Sequence, residues 1–473
     1  MKIELVGESY RDWSITYSAQ KTVNFFPVFS NQGREVSALY GTPGLEEVAD
    51  SGAGPIRGSF KSRKNGRVFF VSSSILYEID SSYALTSRGN LDQSAGNITI
   101  CENTTQMAVC DGANVYIFTY ATNNWAKVTD PDLPVSGTIT SIDNFFVVNE
   151  VGTDKFYISD LADGSSWVAT EFKSAESNPD QIKRVFNAMG QLWCFGEVST
   201  ELFSNTGASD FPFEKISNGT FNIGIVAPYS AIVVGRAVFW LGQDEYGYAQ
   251  VYEATGINPR IISTTPIALL LQQATNLSDV VAWAYQEKGR TFYILTGGGL
   301  ETSLCYDLEA KSWHERAYCN SDGNFEQHRG ITCVFAFNKQ LVGDRDNGKI
   351  YNMDMDIYSD NGDAIVRERI YRHIFEEGYR IKFPILEIGA ETGVGLQNGQ
   401  GTNPIIALSV SKDGGKTYGD VYTQTLGAAG SFYGTIRFRR LGISESMTFK
   451  IRISDPVKVA LFGSYLKDLE GEQ

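Results

Sequence analysis

The residues best suited to chemistry lie near the C-terminal end of the chain, where positions 411–420 read SKDGGKTYGD. Cleavage of an acidic sugar would need an acid and a cluster of arginines that holds the substrate carboxylate. Four arginines, Arg367, Arg369, Arg372 and Arg380, lie close together a short distance upstream. They fall in a charged segment, where a solvated or partner-facing basic surface is the commoner explanation.

The ten residues 411–420 also have a local interpretation that needs no catalysis. Asp-Gly-Gly supplies the positive-φ positions of a tight hairpin, and the Asp413 carboxylate can accept bonds from the N–H groups of its own turn. The run resembles the Asp-box of sialidases, but those enzymes usually carry one box per blade, and this chain has one clear copy. We therefore assign Asp413, Gly414 and Gly415 to a structural turn, and we predict no catalytic residue.

Other catalytic and metal-binding patterns are weak in this sequence. The three histidines, His314, His328 and His373, lack the spacing of a zinc hydrolase, and there is no phosphate-binding loop or nucleophile elbow. Asp-rich turns such as residues 344–348 resemble part of a calcium loop but lack its later glutamate. We expect no cofactor and no built metal site, and whether Ca²⁺ binds an Asp-rich turn stays open.

Composition limits the kinds of partner that the chain can bind and the compartment in which it is made. The 473 residues carry a formal charge of −15, which argues against tight nucleic-acid binding because phosphate neutralisation needs clustered Lys and Arg. The N-terminus lacks the apolar core of a secretory signal, and no apolar run reaches membrane-spanning length. The six cysteines are scattered without a C-x-x-C pair. We expect reduced thiols, no membrane insertion and synthesis in the cytoplasm.

A weak repeat organises most of the chain. Each copy is a short apolar strand, a Gly/Asp/Asn turn and a second strand with a central aromatic, and the aromatics recur at steps of 39 to 54 residues. This spacing suits four-stranded blades of a β-propeller, whose radial stacking buries both faces of each sheet. The markers of the seven units are Tyr77, Tyr116, Tyr157, Phe203, Tyr252, Tyr306 and Tyr351.

The sequence therefore predicts an all-β chain with a propeller of about seven blades followed by a C-terminal β-sandwich. The propeller is placed at 36–358, with 36–50 as the strand that closes the ring, and residues 359–380 form a charged linker. Alternating apolar and polar residues after this linker predict half-buried antiparallel strands, so the sandwich is placed at 381–473.

Residues 1–35 remain as an N-terminal arm with an apolar cluster. Exposed clusters of this kind tend to mark contact surfaces. We expect Phe25, Phe26 and Phe29 of the arm, together with Arg367, Arg369, Arg372 and Arg380 of the linker, to lie at interfaces with other subunits or partners.

The most distinctive stretch is 174–207, SAESNPDQIKRVFNAMGQLWCFGEVSTELFSNTG. It resembles the tail accessory factors of short-tailed bacteriophages, the packaged-DNA stabilisation or tail-hub proteins, as do Gly41-Thr42-Pro43-Gly44 and SDNGDAIVRER. The matching positions are Ala175, Glu176, Ser177, Pro179, Asp180, Phe195, Gly196, Glu201, Phe203 and Gly207. The resemblance extends over most of the chain, although the last 90 residues match only loosely.

This resemblance implies a structural virion protein of the tail, assembled in the host cytoplasm. It implies a homo-hexameric ring below the head-to-tail connector, with DNA passing through its channel without specific binding. The implied partners are the connector (adaptor) ring, the tail needle, and tail fibres or spikes. Two alternatives stay open: a propeller module that binds host-surface glycan, and, with less support, a glycosidase.

Overall fold

The computed structural model describes residues 2–30, 35–176, 178, 180–375, 379–432 and 434–467. Ser177 and Pro179 of the family-like motif and residues 468–473 of the predicted sandwich lie outside the described residues. The described part is almost entirely β-structure, as the pattern of short alternating strands predicts. None of its helices is long and apolar enough to cross a membrane.

The first five strands precede the propeller and belong to the sandwich. Their apolar side chains alternate with turns rich in polar residues, which keeps each strand short. They are β1 (Lys2–Ile3), β2 (Tyr10–Arg11), β3 (Ala19–Val23), β4 (Phe25–Phe29) and β5 (Ser37–Gly41).

Seven antiparallel sheets of the propeller follow in the described residues. The strands of the first four blades, preceded by β6 (Gly44–Asp50), are β7 (Ile56–Lys61), β8 (Val68–Ser72), β9 (Ile75–Ile79), β10 (Leu85–Asn90), β11 (Thr99–Glu102), β12 (Gln106–Cys110), β13 (Val115–Thr119), β14 (Asn124–Lys127), β15 (Ser136–Ile142), β16 (Phe145–Glu150), β17 (Lys155–Asp160), β18 (Asp163–Ser174), β19 (Arg184–Ala188), β20 (Gln191–Phe195), β21 (Thr200–Asn205) and β22 (Phe213–Phe221). These four blades are β7–β10, β11–β14, β15–β18 and β19–β22, each a meander of consecutive strands.

The remaining three blades carry the propeller's only described α-helix, α1 (Thr265–Gln273), between the fifth and the sixth. Two 3₁₀ turns, Pro228–Ser230 and Leu277–Asp279, lie in the same part of the chain. The strands are β23 (Gly224–Ile225), β24 (Ile232–Val234), β25 (Ala237–Gln243), β26 (Ala249–Thr255), β27 (Asn258–Ile261), β28 (Val281–Glu287), β29 (Arg290–Thr296), β30 (Ser303–Asp307), β31 (Ser312–Cys319), β32 (Phe325–Gln327), β33 (Gly330–Ala336), β34 (Lys339–Asp344) and β35 (Lys349–Asp354).

The ring closes through β6, which pairs antiparallel with β35 as the fourth strand of the seventh blade. A separate hydrophobic cluster fills the space between each pair of neighbouring blades, and the last one packs Ile56 and Phe70 of the first blade against Leu341 and Ile350 of the seventh. Six of the seven repeat aromatics lie in these clusters, as Tyr116 does, because stacking on a neighbour is the only way a sheet buries its second face. The remaining one, Tyr77, is half-buried outside them.

The sandwich is built from both ends of the chain. Short β36 (Ser359–Asp360) and β37 (Asp363–Ala364) continue the seventh blade. The C-terminal strands of the sandwich are β38 (Arg367–Ile370), β39 (Ile374–Phe375), β40 (Ile381–Ala390), β41 (Ile405–Ser411), β42 (Val421–Thr425), β43 (Ile436–Ser444), β44 (Ser446–Ile453) and β45 (Ala460–Lys467). One sheet has the order β4-β5-β45-β40-β43, with β1 on β45, and the other contains β3-β38-β44-β41-β42.

Strand β3 joins the two domains. It pairs in parallel with β31 of the sixth blade on one side and antiparallel with β38 of the sandwich on the other. A continuous 12-stranded sheet therefore runs from the propeller into the sandwich.

Two expectations from the sequence are corrected by this arrangement. Residues 1–35 do not project as an arm, because their strands complete both sheets of the sandwich. The segment 359–380 is not a solvated linker, because it contains β38, which lies between two other strands. Phe25 and Phe26 of the first segment and Arg367 and Arg369 of the second pack inside the chain.

Truncating Phe25 to alanine should destabilise the protein strongly. Phe25 is fully buried in the sandwich core, so Phe25→Ala should lower the free energy of unfolding by about 3–5 kcal/mol through lost contacts and a residual cavity. The measurement is denaturant unfolding followed by near-UV circular dichroism. Phe29→Ala is the matched control, because Phe29 is 56% exposed at the end of the same strand. Equal losses of unfolding free energy in the two variants would contradict the assignment of Phe25 to the sandwich core.

Candidate functional site

The turn at residues 411–417 is held by the Asp413 carboxylate. Its oxygens accept hydrogen bonds from Ser411 Oγ at 2.7 Å, the Lys416 N–H at 3.0 Å, and both the N–H and the hydroxyl of Thr417. These bonds, with that from Thr417 the strongest, hold the pKa of Asp413 well below its usual range. The carboxylate is therefore saturated by its own turn, which leaves it poorly suited to act as an acid on a substrate.

The two glycines of this turn let it approach the N-terminal segment closely. Gly414 and Gly415 have φ of 74° and 83°, the left-handed region that favours glycine. A Cβ at Gly415 would lie 2.8 Å from Ala19 Cβ. His373 extends this contact, since its Nε2 lies 2.8 Å from the Ile15 carbonyl oxygen and its Nδ1 bonds Thr448 Oγ1.

An exposed surface surrounds the turn, and we call it the aromatic–basic patch. Five large apolar or aromatic side chains on it are between 51 and 77% exposed, and five exposed basic side chains accompany them. The patch consists of Trp13, Tyr17, Phe375, Tyr379, Ile443, Arg372, Arg380, Lys382, Lys412 and Arg440.

Strand register brings the parts of the patch together. Lys382 pairs with Ile443 across β40 and β43, and Phe375 pairs with Ser446 on the next strand. A Cβ at Gly442 would lie 2.9 Å from Lys412 Nζ, which places the turn beside the same edge. A basic surface with exposed aromatics, on a chain whose formal charge is −15, has the composition of a protein–protein contact site.

The predicted interface residues separate into two groups. Phe25, Phe26, Arg367 and Arg369 are buried within the chain, so the expectation that they lie on an exposed interface is corrected for these four. Their environment is the joint between the sandwich and the propeller, where the N-terminal strands cover them.

The other predicted interface residues lie on the surface. Arg372 and Arg380 are exposed and belong to the aromatic–basic patch, and Phe29 is exposed elsewhere, beside the N-terminal strand β1. Their role as contact residues stays a prediction.

The sequence analysis missed the aromatic members of the patch. Trp13 and Tyr17 lie in the loop between β2 and β3, and Tyr379 precedes β40. The sequence does carry a signal for them: in RDWSITYS and EEGYR the aromatics are flanked by charged or hydroxyl residues. They do not belong to a period-two alternation, which would place them on the buried face of a strand.

Metal-binding clusters are absent from the described part of the chain. Among those residues no group of three or more His, Cys, Asp or Glu side chains could hold a metal ion. Burial, with nearby arginines adding to it, lowers the pKa of the His314 imidazole to about 3, and burial raises the pKa of the Cys110 thiol to about 12. All six cysteines are free thiols, and four of them are buried.

Comparisons with known proteins agree with the two-domain architecture. A family model described as "Bacteriophage P22 Gp10, beta-propeller" matches residues 1–358, and one described as "Bacteriophage P22 Gp10, beta-sandwich" matches residues 367–467. No curated protein matched the chain.

Solved structures of propellers are similar at low identity. The N-terminal domain of Nup159 is 12% identical, with a TM-score of 0.43 over 71% of this chain and 99% of that chain. The Cps50 (Swd1) β-propeller domain of Myceliophteria thermophila is 8% identical, with a TM-score of 0.43 over 66% of this chain and 99% of that chain. Likenesses this distant carry no functional inference.

Replacing Asp413 should weaken the turn in a pH-dependent way. Because the folded-state pKa is lowered, the carboxylate stabilises the fold above the unfolded pKa of about 4, and this contribution is lost as pH falls further. We expect Asp413→Asn to lower the melting temperature at pH 7, and the difference from the unaltered chain to shrink between pH 4 and pH 2.

Differential scanning calorimetry across this pH range checks the expectation. Asp420→Asn is the matched control, because Asp420 is exposed on the same hairpin, and we expect this substitution to leave the melting temperature unchanged. A difference for Asp413→Asn that stays constant with pH would show that the ionised carboxylate does not hold the turn.

Proposed function

Because the chain belongs to the bacteriophage P22 Gp10 family and is therefore a structural protein of the phage virion, we propose that it forms the tail hub. In this proposal the hub lies below the head-to-tail connector, seals the packaged DNA, and anchors the tail needle and the fibres or spikes. The subunits form a homo-hexameric ring that is assembled in the host cytoplasm.

Mechanical coupling of the two domains supports this role. A hub must transmit load between the parts bound to it, and β3 ties the propeller to the sandwich through backbone hydrogen bonds on both edges. Relative domain motion is the usual expectation when an interface is small. Here a shared sheet and the core residues of the N-terminal segment favour one rigid block.

The charge balance supports a DNA conduit. Each copy has a formal charge of −15, and a ring multiplies this charge around its channel. Like charges disfavour adhesion of the DNA phosphates to a protein wall. DNA would pass through the channel of the ring without specific contacts. Such a channel suits retention of the packaged DNA while the channel is plugged and rapid ejection once it is open.

The aromatic–basic patch is the observation that carries the proposal. A ring forms when one patch on each subunit meets a different patch on the next and the rotation closes. The patch is basic on an acidic chain, so the surface best suited to receive it is the acidic surface of a neighbouring copy. We therefore assign the patch to the contact between subunits, and the connector, needle and fibres to other faces of the ring.

Disrupting the patch should prevent incorporation into tails. Tyr379→Ala combined with Arg380→Glu removes an exposed aromatic anchor and reverses a charge without touching the core. When this variant complements a phage that lacks the gene, we expect at least tenfold fewer particles containing the chain, measured by quantitative immunoblot and electron microscopy of purified particles.

A matched control changes the same residue types on the propeller. Tyr246→Ala with Arg236→Glu alters an equally exposed tyrosine and an exposed arginine outside the patch, and it should assemble normally. Normal incorporation of the patch variant would refute the assignment. Binding of lipopolysaccharide fragments by the isolated chain, lost in the patch variant alone, would assign the patch to host glycan instead.

A further inference from the structure

A pocket of about 500 Å³ opens at the joint between the propeller and the sandwich. Its floor contains Phe26 and Arg367, its walls Tyr40 and Tyr358, and its mouth the solvent-exposed Lys288 and Lys458. The lining therefore combines aromatic surface with several positive charges. This composition suits a ligand that carries a negative charge on an apolar body.

Arg367 is the unusual member of this lining. Its side chain is 1% exposed, yet its Nε has no hydrogen-bond partner, and Nη1 reaches only the carbonyl oxygens of Ile365 and Asp455, both at 3.5 Å. No carboxylate of the described residues lies within ion-pair distance of it. Burial lowers its pKa to about 10, so it remains charged at neutral pH. A buried cation without a counter-ion is unfavourable.

The neighbouring arginine on the same strand, Arg369, is also buried, but its guanidinium is fully hydrogen-bonded within the chain. Arg369 donates to the carbonyl oxygens of Leu5 and Glu8, to Thr22 Oγ1 and to Gln20 Oε1, at distances from 2.8 to 3.2 Å. Both arginines are buried on β38, but only Arg369 is held by the fold. Arg367 faces the pocket instead.

The other cations of the pocket already have partners. Arg290 bonds Asp307 through Nε and Nη2, Lys288 lies 3.6 Å from Asp356, and Lys458 lies 3.0 Å from Glu391. In the described part of the chain, Arg367 is thus the pocket cation that an incoming anion would satisfy. The aromatic walls favour a carboxylate attached to an apolar segment over a fully hydrated anion such as inorganic phosphate.

We propose that this pocket is a docking site for an acidic side chain, Asp or Glu flanked by an apolar residue, of another polypeptide. The carboxylate pairs with the Arg367 guanidinium at the floor, and the apolar neighbour packs against Tyr40 and Phe26. Charge-assisted bonds in a desolvated pocket give such an anchor both affinity and orientation. The site is separate from the aromatic–basic patch, so it can fail without affecting the hub proposal.

The first test measures stability of the free chain. If Arg367 serves to bind a ligand and does not stabilise the fold, Arg367→Met should leave the melting temperature unchanged or raise it, because an apolar group replaces an unpaired buried charge. Arg369→Met should lower the melting temperature clearly, because it leaves several buried acceptors without donors. A loss of stability in Arg367→Met as large as that in Arg369→Met would overturn the proposal.

The second test measures binding to the full-length chain. The probe is the peptide N-acetyl-Leu-Glu-Leu-amide, titrated by isothermal calorimetry at low salt, with N-acetyl-Leu-Gln-Leu-amide and inorganic phosphate as comparison ligands. We expect the glutamate peptide to bind at least about tenfold more tightly than the glutamine peptide, and Arg367→Met to abolish the difference.

A substitution at a second pocket residue tests the proposal even if Arg367→Met fails to fold. Tyr40→Ala removes an apolar wall and should weaken binding of the glutamate peptide several-fold. Lys416→Ala should leave that binding unchanged, because Lys416 is exposed and is not part of the pocket lining. Equal binding of the two peptides, or equal binding of phosphate and the glutamate peptide, would overturn the proposal.

Discussion

The fold of this chain depends on a single five-residue strand that must be paired on both edges. Strand β3 contributes Val23 opposite Glu315 of the sixth blade and Thr22 opposite Arg369 of the sandwich. Asn24 follows in the left-handed region, with φ of 54°, and is almost completely buried. Its amide donates to the carbonyl oxygens of Ala317 and Val366 and accepts from the Ala317 N–H, each bond 2.8 or 2.9 Å long. Buried polar groups require such satisfaction, so β3 can occupy this place only when both domains are folded around it.

Charges next to β3 are satisfied in the same way. Lys21 lies 3.3 Å from the buried Glu315 carboxylate, which also accepts hydrogen bonds from Ser9 Oγ and Thr302 Oγ1. Burial alone would lower the pKa of Lys21, but the glutamates around it outweigh burial and raise that pKa. The joint therefore joins residues of the first 25 positions, the sixth blade and the sandwich in one network. The two domains cannot move independently without breaking this network, a property that would suit the hub role proposed above.

Much of the architecture was predictable because it follows from local pattern. The aromatic repeat predicted blades, and period-two alternation at Met447, Phe449 and Ile451 predicted a half-buried sandwich strand; the all-β class and the family are confirmed. The place of residues 1–35 was not predictable, because the strands that β3 contacts lie about 300 residues away and local alternation does not name a distant partner. The prediction that Arg367 and Arg369 lie at an interface was wrong for the same reason. Arginines that are close in sequence usually lie on a solvent-exposed surface, and only the pairing of distant strands shows that these two are buried. Tyr379 was missed because an exposed aromatic has no periodic signature.

Hydrogen exchange of the β3 backbone amides shows whether this strand locks the propeller to the sandwich. If it does, the amides of residues 21–23 exchange as slowly as those of the central blade strand β29, because both require opening of a sheet buried within the joined domains. Deuterium uptake followed by mass spectrometry on overlapping peptides would resolve the two segments. Exchange of the β3 amides on the timescale of surface loops, while β29 stays protected, would contradict the claim that this strand locks the propeller to the sandwich.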